Sequence, residues 1–242
     1  MGKFYRNRDL ENKIISGSIF RESKEFWKFK KAPTLVSFVN PYSYSIIRND
    51  KKTVDNIDIW FCDGGLLSRI LTFSFGKKIE RASFDFSSVA TEIFGFCEEN
   101  NLKISLVGGT SVEIDEAHKF LAEIYPKLDF VLVASGYCNN NSEYQSIIES
   151  IEKSGAQVVI AGLGTPRQEH FLIECSKRLT NMKYGFTCGG FLSQTSTRGD
   201  YYSPWIKKTG LRWLQRAWSD KHVRKRLLID YPVFLFRFVL DR

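Results

Sequence analysis

Asp63 ends an apolar run, 57–62, and is followed directly by Gly64 and Gly65. A carboxylate at the end of a buried strand, before a flexible turn, can take a proton from an attacking hydroxyl. The same residue type caps helices and closes Asx-turns, so Asp63 alone leaves both roles open. A second segment, Gly162-Leu163-Gly164-Thr165-Pro166-Arg167-Gln168-Glu169, follows the apolar residues 157–161 and precedes a helical pattern. Strand, glycine turn and helix start together make an anion-binding corner, because unpaired N–H groups point outward there. Pro166 is expected at the first helical position, where a missing N–H costs nothing. Gln168 beside that corner could hydrogen-bond sugar hydroxyls, or be a solvated first-turn residue. Tyr137 could stack on a ring or be a half-buried aromatic, and Asp85, four residues after Arg81, is expected to cap the next helix. His170 reads as a packed helix residue.

The elements that must position these residues alternate. Buried strands are expected at 34–39, 57–62, 103–107, 130–134, 157–163 and 184–187, and helices at 87–99, 112–125, 142–153 and 167–179. Apolar strands alternating with helices of this length imply βαβ units and a parallel sheet covered on both faces. Ligands bind such sheets at the carboxyl ends of the strands. After the six runs come Asn40-Pro41, Asp63-Gly64-Gly65, Gly108-Gly109, Ser135-Gly136-Tyr137, Gly162-Leu163-Gly164 and Cys188-Gly189-Gly190. Glycine at five of six ends suggests an open-backbone pocket for a nucleotide or another phosphate ligand, beyond ordinary turn chemistry.

Known nucleotide signatures are absent. Gly162-x-Gly164 continues to Arg167 where a dinucleotide fingerprint needs glycine, and there is neither a P-loop nor an Asp-x-Asp pair. Phosphate would then be held by backbone N–H groups, helix starts and arginine. The five cysteines include no C-x-x-C pair and the three histidines are far apart, so neither a zinc ribbon nor a disulfide framework is expected, and a reducing cytoplasm fits. No signal peptide is expected at the N-terminus. The apolar stretch 231–240 is too short for a bilayer, which needs ~20 residues.

Charge is segregated. Of a net +8, residues 198–242 carry +7 and the other 197 residues only +1. Trp205, Trp213 and Trp218 interleave with lysines and arginines there, and Phe234, Leu235, Phe236 and Phe238 follow. That mixture reads as an interfacial anchor for an anionic membrane surface, or as a helical hairpin folded on the body. Three regions are expected: 1–30, an extension without clear period; 31–195, the α/β catalytic domain; and 196–242, a basic, aromatic helical appendage.

In chain order, Val39-Asn40-Pro41, Cys62-Asp63-Gly64, Glu80-Arg81 with Asp85, Leu106-Val107-Gly108-Gly109, Gly136-Tyr137, the segment 162–169, and Gly210-Leu211-Arg212-Trp213-Leu214-Gln215-Arg216 form a combined pattern. The pattern resembles the WecG/TagA/CpsF family of bacterial glycosyltransferases (glycosyltransferase family 26), over about residues 33–226. The resemblance implies a Rossmann-like parallel sheet with helices on both faces plus a basic helical appendage. It implies inverting transfer from a UDP-sugar to a polyprenyl-diphosphate-linked saccharide, with neither metal nor cofactor, at the cytoplasmic face of the plasma membrane. The products are surface polysaccharides such as capsule, exopolysaccharide or teichoic acid linkage units. Asp63 matches the family's proposed general base, Gln168 its sugar-contacting residue and Asn40 its first-strand asparagine. Gly108, Gly109, Tyr137, Gly162 and Gly164, with Arg81 and Asp85, fall at the nucleotide pocket. Arg212, Arg216 and Arg224 are the candidates for the acceptor diphosphate and the membrane. Three departures stand out: Phe38 replaces a frequent threonine, the Arg81–Asp85 spacing is one residue short, and Arg212 replaces a frequent acidic residue. They point to altered sugar specificity. The partners expected are thus donor, lipid-linked acceptor and membrane, with a homo-oligomer left open and no nucleic acid. A basic nucleic-acid-binding protein, or another nucleotide-binding α/β protein, is the alternative.

Overall fold

The computed structural model describes residues 6–22, 24–138, 140–196 and 225–240. Seven parallel strands form one sheet: β1 (Ile14–Ile15), β2 (Thr34–Val39), β3 (Ile59–Cys62), β4 (Lys103–Gly108), β5 (Asp129–Ala134), β6 (Val158–Gly162) and β7 (Tyr184–Thr187), in spatial order β1-β3-β2-β7-β6-β4-β5. β2 and β7 are buried along their whole length, as strands covered on both faces must be. β5, at the edge, is only half-buried.

Helices cover both faces. One face carries α1 (Arg8–Asn12), α3 (Pro41–Ile47), α4 (Lys51–Asn56), α5 (Gly65–Phe75), α8 (Asn141–Ser154) and α9 (Arg167–Arg178), and its core includes Tyr44, Leu67, Ile148 and Phe171. The other carries α2 (Ile19–Glu22), α6 (Ala90–Glu99), α7 (Ser111–Ile124) and α10 (Phe191–Thr195), around Phe61, Phe84, Phe94 and Phe191. Several helices, α1, α3, α4, α7 and α8, start where short polar side chains cap them. Thr110 and Glu113 form a capping box on α7, and Asn140 accepts from the Glu143 N–H on α8. The parallel α/β sheet expected from the alternation, Rossmann-like as the resemblance implies, is the fold observed.

Of the first thirty residues, which carry no clear period, the described stretch from Arg6 onward is tied into the body. β1 pairs with β3 through Ile14 opposite Trp60 and Ile15 opposite Phe61. Lys13 donates from Nζ to the carbonyls of Val54, Asp55 and Ile57 at 2.8–2.9 Å, which satisfies the carboxyl end of α4. After a π-helical turn (Arg226–Asp230), α11 (Tyr231–Leu240) lies against α3. Phe234 and Phe238 are buried against Tyr44, while Phe236, Leu228 and Leu240 are each about two-thirds exposed or more, at 67%, 75% and 68%. Among the described residues no helix is long and apolar enough to cross a membrane.

Candidate functional site

The chain leaves β4 toward β5 through α7 and leaves β6 toward β7 through α9, on opposite faces of the sheet. The neighbouring ends of β4 and β6 therefore flank a topological switch point, where α/β sheets open a crevice. Gly108 and Gly162 face each other across it in register. A Cβ on Gly108 would stand 2.8 Å from the Gly162 carbonyl oxygen, so these backbones meet at a separation only glycine allows. Gly164 and Gly189, with φ of +75° and +55°, have nothing among the described residues within 4 Å of where a Cβ would stand, so their turns border space that those residues leave open. Gly108→Ala is expected to cost about 1–3 kcal/mol through forced backbone shift. Gly95→Ala in α6, where nothing lies within 4 Å, is expected to gain up to about 1 kcal/mol. Urea unfolding of the two variants should show opposite signs.

Two strands beyond β7, the ends of β2 and β3 bring Asn40 and Asp63 side by side, since Val39 pairs with Cys62 and the Asp63 N–H donates to the Val39 carbonyl at 2.7 Å. The two roles left open for Asp63 are separated here. Gly64, not Asp63, is the N-cap of α5, with φ of +99° and no side-chain cap. The Asp63 carboxylate instead accepts from the Ser83 hydroxyl and lies 3.8 Å from Arg81 Nε, with 38% of the side chain exposed. It is thus oriented from below and open above. Arg81 also donates from Nη2 to Asp85 at 2.9 Å, and Asp85 accepts from the Ser87 N–H at 2.8 Å. Asp85 therefore closes a turn and an ion pair, and Val89 occupies the cap position of α6. Ser83 has no motif signal of its own; only the return of the chain after α5 brings it to Asp63.

Asn40 caps α3, accepting from the N–H groups of Tyr42 and Ser43 at 3.0 Å, so its carbonyl is committed while its NH₂ donates to no described residue. Pro166 differs from expectation: it is the N-cap of α9, after a cis Thr165–Pro166 bond, and Arg167 is the first helical residue. Arg167 reaches from Nη2 to the Gly136 carbonyl at 3.3 Å. Tyr137 is 69% exposed, beside a hollow of about 420 Å³ lined by Ser135, Cys138, Glu143 and Ile147 at the β5 edge.

Gln168 is 3% exposed, so it is a buried residue and not a solvated one. Its Nε2 donates to Thr165 Oγ1 at 3.2 Å and to Glu169 Oε1 at 3.0 Å, and its Oε1 accepts from the Gly189 N–H at 3.2 Å. Glu169 is fully buried and also accepts from Ser37 Oγ at 2.9 Å; burial pushes its carboxyl above the usual range, against the hydrogen bonds it accepts. Ser37 in turn bonds Thr187 Oγ1 at 2.9 Å. Phe38, the next residue along β2, points to the other face against Phe61 and Phe84. Among the described residues no three His, Cys, Asp or Glu side chains converge as a metal-ligand set. Arg212, Arg216 and Arg224 lie outside the described residues.

Residues 17–242 match the model of the "Glycosyl transferase WecG/TagA/CpsF family". The chain is also similar to a Shigella boydii protein described as UDP-Gal:alpha-D-GlcNAc-diphosphoundecaprenol beta-1,4-galactosyltransferase, with 41% identity over 235 residues, covering 97% of this chain and 91% of that one.

Proposed function

The chain belongs to the WecG/TagA/CpsF family of glycosyltransferases, and on that premise we propose that it moves a hexose, galactose in the first instance, from a UDP-sugar to a polyprenyl-diphosphate-linked saccharide. The donor would lie along the strand ends. Its diphosphate would meet the crevice between β4 and β6, Tyr137 the base, and its sugar would point toward Asn40 and Asp63. Adjacent strands are ~4.8 Å apart, so the end of β6 is about 14 Å from that of β3. The single observation that carries the reading is the oriented, half-open carboxylate of Asp63 beside the Asn40 amide.

Asp63 takes the proton of the acceptor hydroxyl as that oxygen bonds to C1 of the sugar. The bond from C1 to the β-phosphate oxygen breaks with its electron pair, and UDP leaves. Attack from the face opposite UDP inverts C1; nucleotide-linked galactose is α, so the product is β. The reaction is read as independent of a metal, with the leaving charge met by backbone N–H groups and arginine, Arg212, Arg216 and Arg224 among the candidates.

Membrane association is assigned to the carboxyl-terminal region, which supports a peripheral location on the cytoplasmic face. The outward side of α11 exposes Phe236 and Leu240, the turn before it exposes Ile229, and a helix of this kind lies in the interface plane. Phe236→Glu is expected to lower partition onto anionic vesicles about tenfold or more without changing the melting temperature, because the side chain makes no core contact. Co-sedimentation with phosphatidylglycerol vesicles measures it.

The function itself is tested with purified protein, anionic vesicles, radiolabelled UDP-galactose and a short polyprenyl-diphosphate-GlcNAc. Label moving into the lipid fraction supports the reading. UDP release without lipid product would remove the acceptor assignment, and tight oligonucleotide binding with no UDP binding would favour the nucleic-acid alternative.

A further inference from the structure

Glu169 stands at the meeting point of three strand ends, on the first turn of α9. Its Oε1 accepts from Ser37 on β2, from Thr165 in the turn after β6 at 3.2 Å, and from the Gln168 amide. Its Oε2 is buried and meets no described partner. Among the described residues no lysine or arginine enters this group of hydrogen bonds, so the carboxyl's described donors are all neutral. A buried acid without a cation is costly, and the cost needs a reason.

The bonds supply one. An amide can sit in two orientations related by a flip, and its neighbours decide which is held. Glu169 Oε1 and Thr165 Oγ1 both face the Gln168 nitrogen, which leaves the Gln168 oxygen toward the Gly189 N–H. Gly189 borders the open space above, so the orientation of this amide sets which backbone and side-chain groups line the floor there. We infer that Glu169 is a positioning residue for the donor site: it holds the Gln168 amide with its oxygen toward the cleft floor and ties the start of α9 to β2 and β7. The inference rests on the donor-site reading above. In this arrangement both Gln168 N–H bonds are used internally, so a sugar hydroxyl at the floor meets an acceptor, and donation to that oxygen is the contact Gln168 offers.

The test is a double-mutant cycle in the full-length protein, using UDP-galactose turnover, UDP affinity by calorimetry and thermal unfolding. Glu169→Gln keeps shape but introduces a buried NH₂, either at Oε1, where three donors already point, or at Oε2, where no described acceptor stands; Glu169→Ala removes the acceptor. Each is expected to raise the KM for UDP-galactose and lower kcat/KM about tenfold, with UDP affinity within about twofold of the parent. In a Gln168→Ala background, adding either Glu169 change is expected to have no further effect on kcat/KM, because Glu169 acts through the amide. Losses that multiply would overturn the proposal, as would a Glu169→Gln protein with unchanged KM. If Glu169→Ala does not fold, Glu169→Gln and Ser37→Ala carry the cycle. A parent protein that neither binds UDP nor turns over UDP-galactose would instead overturn the functional reading beneath it.

Discussion

Replacing Asp63 by asparagine is expected to lower kcat by about 10²–10⁴-fold while UDP binding stays near the parent value. Asparagine keeps the shape of the side chain and can still accept from Ser83, so the turn after β3 should survive. What it loses is the capacity to take a proton. The measurement is single-turnover transfer beside calorimetric UDP titration. Near-normal turnover in the variant would sink the base assignment. Ser83→Ala separates orientation from chemistry: the carboxylate remains but loses its nearest donor, so a smaller fall in kcat than for Asp63→Asn is expected. Arg81, 3.8 Å from Asp63 and paired to Asp85, keeps this carboxylate beside a positive charge when Ser83 is replaced.

Glu11→Gln is expected to cost about 3 kcal/mol or more, because it breaks a buried ion pair and leaves the charge of Arg6 inside. Arg6 donates to Glu11 from Nε at 2.8 Å and from Nη2 at 2.6 Å, and the Tyr44 hydroxyl donates to the same carboxylate at 2.6 Å. The Glu11 side chain has no solvent exposure and that of Arg6 only 7%. Burial, reinforced by the Glu11 charge, pushes the Tyr44 phenol far above its usual range, so it remains a donor at any working pH. The cluster is also the seat of α11: the Arg6 guanidinium lies 4.3 Å from the Phe238 ring centroid, and Phe234 and Phe238 meet Tyr44 edge-on at 5.4 and 5.9 Å. For a chain of this size the loss corresponds to roughly 6–12 °C in melting temperature. Lys51→Ala, which removes an exposed pair with Asp55, should be nearly silent. Equal effects in the two variants would show that the cluster does not hold the fold as described.

The elements legible in the chain were those with a strong local signal. β2 and β7 begin and end where their largely apolar runs do, because a strand covered on both faces is mostly apolar and its few polar groups must be hydrogen-bonded, as Ser37 and Thr187 are. α9 starts after Pro166 because the Gly164-Thr165-Pro166 turn interrupts any regular period. β1 escaped because two residues carry no periodicity, and its pairing with β3 joins positions 46 residues apart. The short helices α3 and α4 were missed for a related reason: seven and six residues are too few to show a 3.6-residue period.

The site divides along the same line. Asp63, Asn40, Tyr137 and the glycine turns could be named from residue type and place, since a parallel sheet carries its ligand groups at strand ends. Their partners could not. Whether Asp63 caps α5 or faces the cleft depended on Gly64 taking the cap and on Ser83 returning 20 residues later. Whether Gln168 is solvated or buried depended on Glu169, whose partner Ser37 lies 132 residues away. Propensity and periodicity act over a few residues, so the chain by itself determined which strands and turns form and which chemical groups stand at their ends. Hydrogen bonds across the sheet form only once the strands are ordered side by side, and that order, set by burial on both faces, decided which carboxyl is part-exposed at the strand ends and which is buried beneath them.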